Sequence, residues 1–247
     1  QIKQLPSIGG DADIAQYLPV LPGIVSTGDQ GGQIYIRGGA PIQNKIMIDG
    51  MTIFNPFHSI GIFSVFETEA IKTIDVNSAG FNVEHGGRVS AVVDIKTKEG
   101  NKKRISGVVG VSPFNAKAVL EGPIVPLKED KAFSASYLLS FKKSLLEKTS
   151  KTLYSYANED GLPFAFTDYY GKLNFSLDNG SKIDLFGFNF NDDVNYTSTT
   201  KFKWVNSGGG INFVLNPAGS NYTLGAIANF TKYNIELNEF EQNPRTS

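Results

Sequence analysis

The sequence predicts an α+β domain over residues 1–100, followed over residues 101–247 by antiparallel strands of an incomplete transmembrane β-barrel. Three observations carry this. The chain of 247 residues holds 18 Phe, 10 Tyr and 26 Gly, a mix suited to alternating strands and turns rather than long helices. Its grammar changes near Gly100-Asn101: before that point apolar runs, glycines and one helix are mixed, and after it the chain reads strand, turn, strand. Finally, the connections in the second region are short at one end and long and polar at the other, the organisation of an outer-membrane barrel.

In the first region Asp11 stands where an N-cap is needed, ahead of Ile14, Tyr17, Leu18 and Leu21 at helical spacing. Pro19 and Pro22-Gly23 end that helix. Short strands are expected at 33–37, 45–49, 71–76 and 90–97, with a second short helix at 65–70. Together they make a small domain with a mixed sheet.

The second region alternates with period 2. Phe133, Ala135, Tyr137, Leu139 and Phe141 share a face, opposite Ser134, Ser136, Ser140 and Lys142, with Leu138 as an exception. Tyr169, Gly171, Leu173, Phe175 and Leu177 oppose Tyr170, Lys172, Asn174 and Ser176. Tyr222, Leu224, Ala226, Ala228 and Phe230 oppose Thr223, Gly225, Asn229 and Thr231, with Ile227 out of pattern. The apolar face changes near Phe186, which reads as a bulge or a wrong boundary. Strands are expected at about 104–112, 116–122, 132–142, 167–178, 181–191, 202–216 and 221–237. Asp178-Asn179-Gly180 and Pro217-Ala218-Gly219 are tight turns. The segments 143–166 and 191–201 are long loops at the opposite end, and 113–115 is a short one there. A soluble β-sandwich is the competing architecture. Aromatic residues near the strand ends and strands of about 10 residues favour the barrel over it.

Several chemistries are excluded. There is no cysteine, hence no disulfide, thiolate nucleophile or Cys-based zinc site. His58 and His85 have no metal-ligand spacing, and no metal or cofactor is called for. The net charge of -1 gives no nucleic-acid footprint, and Lys102-Lys103-Arg104 reads as a solvated strand start. No nucleophile elbow or phosphate-cradling loop occurs, so the chain is not read as an enzyme. Asp192-Asp193 is expected in a solvated loop. No apolar run is long enough for a transmembrane helix, a fact that leaves a barrel open. The first ten residues do not form a secretory signal.

Five segments of the first region carry a further signal in order. They are Asp13-Ile14 through Leu21-Pro22-Gly23-Ile24, then Ile36-Arg37-Gly38-Gly39, then Met47-Ile48-Asp49-Gly50-Met51, then Ile71-Lys72-Thr73-Ile74-Asp75-Val76, and finally His85-Gly86-Gly87-Arg88 leading into Val92 to Lys98. Over residues 11–100 this resembles the plug of a TonB-dependent outer-membrane receptor. Asn55-Pro56-Phe57-His58 and the double glycine after Arg37 resemble the SusC-like and related branch, which works with surface lipoproteins.

The resemblance implies a plug inside a barrel of about 22 strands, driven by a TonB-type energy-coupling protein, in the outer membrane of a Gram-negative bacterium. Implied partners are that protein, outer-membrane lipids and a surface lipoprotein lid. A domain of about 100 residues has a solid radius near 17 Å, which about 22 strands accommodate. Seven strands are fewer than the roughly eight of the smallest barrels, so the chain is expected to hold about 7 of about 22. In the family, outward plug loops touch ligand. Here those are 27–32 and 54–63, making Asp29, Gln30, Asn55, Phe57, His58 and Ser59 the expected substrate contacts. An aromatic among polar groups suits a sugar, peptide or cofactor-like ligand. Arg37 and Arg88 are expected in ion pairs with carboxylates of the wall or plug, where Asp49, Glu67, Glu69 and Glu84 are near in sequence. The function implied is nutrient import (an oligosaccharide, peptide or metal chelate). A plugged barrel serving as a structural subunit of a larger outer-membrane assembly, and a soluble β-rich binding module, are the alternatives.

Overall fold

A computed structural model of the chain describes residues 12–27, 33–58, 61, 63–78, 80–81, 85–128, 131–153, 155–156, 161–196, 200–217 and 219–239. The first helix, α1 (Ile14–Tyr17), is capped by Asp13; the expected cap, Asp11, lies outside the described residues. Asp13 Oδ1 accepts the Ala15 N–H at 2.8 Å and the Ser64 N–H at 3.0 Å, so one buried carboxylate both starts the helix and ties it to a distant loop. Pro19 sits in a single 3₁₀ turn, Leu18–Val20. The chain then extends into β1 (Ile24–Ser26), antiparallel to β2 (Ile34–Ile36).

A mixed four-stranded sheet follows in the order β4–β3–β6–β5, from β3 (Asn44–Ile48), β4 (Met51–Thr52), β5 (Ile71–Asn77) and β6 (Ala91–Thr97). β3 and β6 are parallel, and the outer pairs are antiparallel. β6 is apolar on both faces, with Ala91, Val92, Val93 and Ile95 buried, as a strand covered on both sides requires. The helix expected at 65–70 is reduced to a 3₁₀ turn, Thr68–Ala70. Before that turn, Val65 donates its N–H to the Pro56 carbonyl at 3.0 Å, outside any helical ladder. β3 and β4 are joined by Asp49 and Gly50 at φ 48° and 86°, the two-residue type I′ hairpin that Asp-Gly favours.

The second region is one antiparallel sheet of seven strands in chain order, a meander. Its members are β7 (Ser106–Val111), β8 (Asn115–Val125), β9 (Phe133–Ser144), β10 (Phe164–Leu177), β11 (Lys182–Tyr196), β12 (Thr200–Leu215) and β13 (Leu224–Glu239). The first domain covers the inner face, so the arrangement is not a sandwich of two sheets. The outer face carries exposed Val109, Leu139, Tyr169, Leu173, Leu185, Ile211 and Phe230, the apolar surface of a lipid-facing wall.

β11 runs in unbroken register against β10 and β12, so the expected bulge near Phe186 is absent. The face does not switch there; both faces are apolar. Ile183 and Leu185 point outward, while Phe186, Phe188 and Phe190 point inward and are buried. Leu138 is buried on the inner face in the same way, and Ile227 reaches inward to lie over Gly50. Leu138, Phe186 and Ile227 therefore all face the first domain. The long connection after β9 contains a helix the alternation does not reveal, α2 (Leu146–Leu153). Its Leu146 is buried with Phe63 and Phe166, which fastens the loop over the first domain.

Candidate functional site

The interface between the first domain and the wall holds three polar clusters, stacked from the short-turn end to the long-loop end. At the short-turn end Glu99 accepts from Lys102 at 2.8 Å and Lys182 at 2.7 Å. Its backbone carbonyl accepts from Ser136 Oγ at 2.6 Å, and Lys102 also donates to Ser176 Oγ at 2.9 Å. Burial alone would raise the Glu99 pKa, but the hydrogen bonds and charges of the two lysines outweigh it and lower it from 4.5 to about 2. Next to it Gly100 has φ 85°, and a Cβ there would lie 2.4 Å from the Tyr137 carbonyl oxygen. Only glycine lets the chain pass so close to the wall.

At mid-height the Asp49-Gly50 hairpin is gripped from the wall. The Asp49 carboxylate accepts from Tyr170 Oη and from Lys172 Nζ at 3.2 Å, and within its own domain from the Thr97 N–H at 3.1 Å and Thr97 Oγ1 at 2.8 Å. Asn212 Nδ2 donates to the Asp49 carbonyl at 3.1 Å, and Asn229 Nδ2 to the Gly50 carbonyl at 3.2 Å. β10, β12 and β13 thus all hold one turn. Above it, Lys142 Nζ donates to the Ser64 carbonyl at 2.7 Å and the Phe66 carbonyl at 3.3 Å, and Lys117 pairs with Glu67 at 3.3 Å.

At the long-loop end His58 is fully buried. Its Nε2 lies 2.9 Å from Asp168 Oδ2 and its Nδ1 3.6 Å from Asp192 Oδ2. The ring stacks on Phe166 at 3.8 Å between centroids and faces Trp204 at 6.1 Å. Burial alone would lower the His58 pKa, but attraction by Asp168 and Asp192 prevails and raises it above its ordinary 6.5. Beside it the Asn55 amide oxygen accepts from Trp204 Nε1 at 3.2 Å. Phe54 stacks on Tyr233 at 5.9 Å, and Phe66 meets Phe190 edge-on at 6.3 Å.

These placements redraw the expected site. Asp29, Gln30 and Ser59 lie outside the described residues. Phe57 and His58 are buried between domain and wall, not on an open surface, and Asn55 is half-buried against Trp204. Among the described residues Arg37 and Arg88 form no ion pair. Three pairs across the interface join carboxylates of the first domain and its linker, Asp49, Glu67 and Glu99, to Lys172, Lys117 and Lys182 of the wall, while His58 of the first domain pairs with the wall carboxylates Asp168 and Asp192. Asp192 is not a solvated loop residue but an inward, buried member of β11, and Asp193 is half-buried 3.9 Å from Lys201. Lys102 is drawn out of solvent by Glu99, while Lys103 and Arg104 are exposed. Among the described residues no cluster of His, Asp and Glu is arranged to hold a metal ion. The chemistry available is reversible attachment: charge pairs and hydrogen bonds between two bodies that water can replace.

Comparison with known proteins agrees with this architecture. Residues 3–93 match the family model of the TonB-dependent receptor plug domain. A mutant of the ferric enterobactin receptor PfeA from Pseudomonas aeruginosa superposes with a TM-score of 0.54 at 15% identity, covering 94% of this chain and 39% of that one. The FrpB iron transporter from Neisseria meningitidis gives 0.59 at 16% identity, covering 88% and 36%. The siderophore receptor PiuA from Acinetobacter baumannii gives 0.59 at 15% identity, covering 91% and 34%. The chain thus spans between 34% and 39% of the length of these three receptors. No curated protein matches it in sequence. With a TonB-dependent receptor plug domain over residues 3–93 and an open antiparallel wall packed against it, the chain has the fold of the plug and part of the barrel of a TonB-dependent receptor.

Proposed function

We propose that the protein to which this chain belongs imports a metal chelate across the outer membrane of a Gram-negative bacterium, through a barrel that the plug closes at rest. The observation that carries this reading is the plug domain seated on the inner face of the wall by contacts that water can replace. A TonB-type coupling protein supplies the force that unseats it. The structural neighbours named above are receptors and a transporter for iron or siderophores, which favours a metal chelate over an oligosaccharide or peptide as the cargo.

The test is uptake of radiolabelled iron, presented as a panel of ferric siderophores, by cells with and without the full-length gene. The expected result is loss of uptake for at least one chelate, restored by the gene and abolished by a protonophore. Normal uptake of every chelate by the deleted strain would sink the reading. Stable co-purification with secretion or assembly proteins would favour a structural subunit instead.

A further inference from the structure

The wall does not hold the plug in the same way along its width. The inner row of β9 is Ser134, Ser136, Leu138, Ser140 and Lys142, and that of β10 runs Phe166, Asp168, Tyr170, Lys172, Asn174 and Ser176, with Leu138 and Phe166 as the apolar members. Polar contacts join these rows to the plug and to each other. From mid-height to the short-turn end a relay of hydrogen bonds and ion pairs passes from Tyr170 through Asp49, Lys172, Asp184, Asn174, Ser176, Lys102 and Glu99 to Lys182. Just above Tyr170 a small cavity of mixed lining lies between plug and wall, with the plug's Val65 and Phe66 facing Ser140, Lys142, Asp168 and Phe190 of the wall. The inner rows of β11 and β12 also make polar contacts to the plug through Lys182, Asp192 and Asn212, but between these they present Phe186, Phe188, Phe190 and Trp204, which join the apolar core of the plug.

Water can take over each partner of a separated charge pair or hydrogen bond, so parting a polar interface exchanges one set of bonds for another. Water offers nothing equivalent to a parted aromatic surface. Building on the transport reading above, we propose that the plug parts first from β9 and β10, and that the hydrophilic path for the solute opens along their inner rows while the plug stays seated on β11 and β12. The path is lined by hydroxyls, amides, the Asp168 carboxylate and the lysines Lys142 and Lys172, a surface that suits a polar solute.

The 247 residues contain no cysteine, so cysteines introduced into them can be labelled site by site in the full-length protein once any cysteine outside them is replaced by serine. Ser136→Cys and Ser140→Cys report on the polar rows and Asn206→Cys on the apolar side; all three positions are buried and inward-facing. The probe is a charged, membrane-impermeant maleimide. In purified receptor in detergent, titrated with urea below the unfolding of the barrel, the two serine positions are expected to react at a lower urea concentration than Asn206→Cys. Simultaneous reaction, the reverse order, or no reaction before the barrel unfolds would each overturn the proposal. In cells, modification of Ser140→Cys is expected to slow uptake of the ferric chelate while modification of Asn206→Cys does not. The correct urea order with uptake indifferent to modification at Ser140→Cys would overturn the assigned path. A complete lack of uptake counts against the transport reading alone, because the urea order needs no cargo.

Discussion

The inner rows of β9–β10 and of β11–β12 face the same plug with different chemistry. The first pair offers mainly Ser136, Ser140, Lys142, Tyr170 and Lys172, with Leu138 and Phe166 between them; the second sets Phe186, Phe188, Phe190 and Trp204 between the polar contacts of Lys182, Asp192 and Asn212. Each fully buried aromatic of the second pair contributes about 1.5–3 kcal/mol through apolar burial. A buried ion pair such as Asp49–Lys172 contributes little net, because desolvation offsets most of the attraction, yet removing one partner alone costs several kcal/mol. The apolar side therefore supplies holding strength and the polar side supplies register. A plug anchored by aromatics alone would slide; one anchored by ion pairs alone would gain little stability.

The largest effect that sharpens this comparison is expected at Lys172. Lys172→Ala leaves the buried Asp49 carboxylate without its counter-charge and should cost the plug about 3–5 kcal/mol. The double variant Asp49→Asn with Lys172→Met should recover more than half of that, since it removes both charges. Urea midpoints of plug unfolding in the full-length receptor measure both, and a loss below about 1 kcal/mol for Lys172→Ala would place this pair with ordinary surface bridges. A second, smaller effect lies at Leu138, the apolar exception in a polar row, which is buried. Leu138→Ala should cost about 2–4 kcal/mol of plug stability. Leu139→Ala, one residue on and lipid-facing, should leave the plug midpoint unchanged. Equal losses at the two positions would mean that the plug does not read the face of β9.

The same contrast explains how much was legible in the sequence. The seven wall strands follow from local pattern, because alternation is short-range, and so do three strands of the mixed plug sheet, whereas the strand expected at 33–37 pairs with β1 in a sheet of its own. β1 and β4, with three and two residues, are too short to show a period. Leu138, Phe186 and Ile227 look like errors in an alternating pattern because alternation assumes one apolar face, and these strands have a second apolar partner inside. The candidate site was less legible for a different reason. His58 finds Asp168 110 residues away, and Asp49 finds Lys172 123 residues away. No local signal distinguishes a lysine that will meet a buried carboxylate from one that will meet water. The one available hint was that Lys142 and Lys172 occupy inward positions of otherwise regular strands.

His58 offers a pH-dependent way to break the comparison, since it joins a polar cluster to the aromatic side through Phe166 and Trp204. Its pKa is raised in the folded protein above the ordinary 6.5. The folded state then binds the proton more tightly, so this contribution is fully present below about pH 6.5 and is lost as pH rises through the raised value. The urea midpoint of the plug should therefore fall as pH rises above about 6.5. His58→Gln, which keeps a hydrogen-bonding side chain without the charge, should flatten that part of the profile. Identical slopes in the two proteins would show that the ring stays neutral between its two aspartates.

Glu99 should give the smallest effect and the opposite sign. Its pKa is lowered from 4.5 to about 2 by Lys102 and Lys182, so its contribution is present above about pH 4.5 and is lost as pH falls toward 2. The carboxylate is half-exposed, and solvent screening holds the effect to about 1 kcal/mol or less. Glu99→Gln should thus lower the plug midpoint slightly at pH 7, by about half as much or less near pH 3, and barely at all below about pH 2, where the wild-type carboxylate is protonated in both states. The comparison of interest is with Lys172→Ala at pH 7. If Glu99→Gln cost as much, the grip on the plug would be concentrated at the short-turn end, and the mid-height hairpin could not be what sets the register between plug and wall.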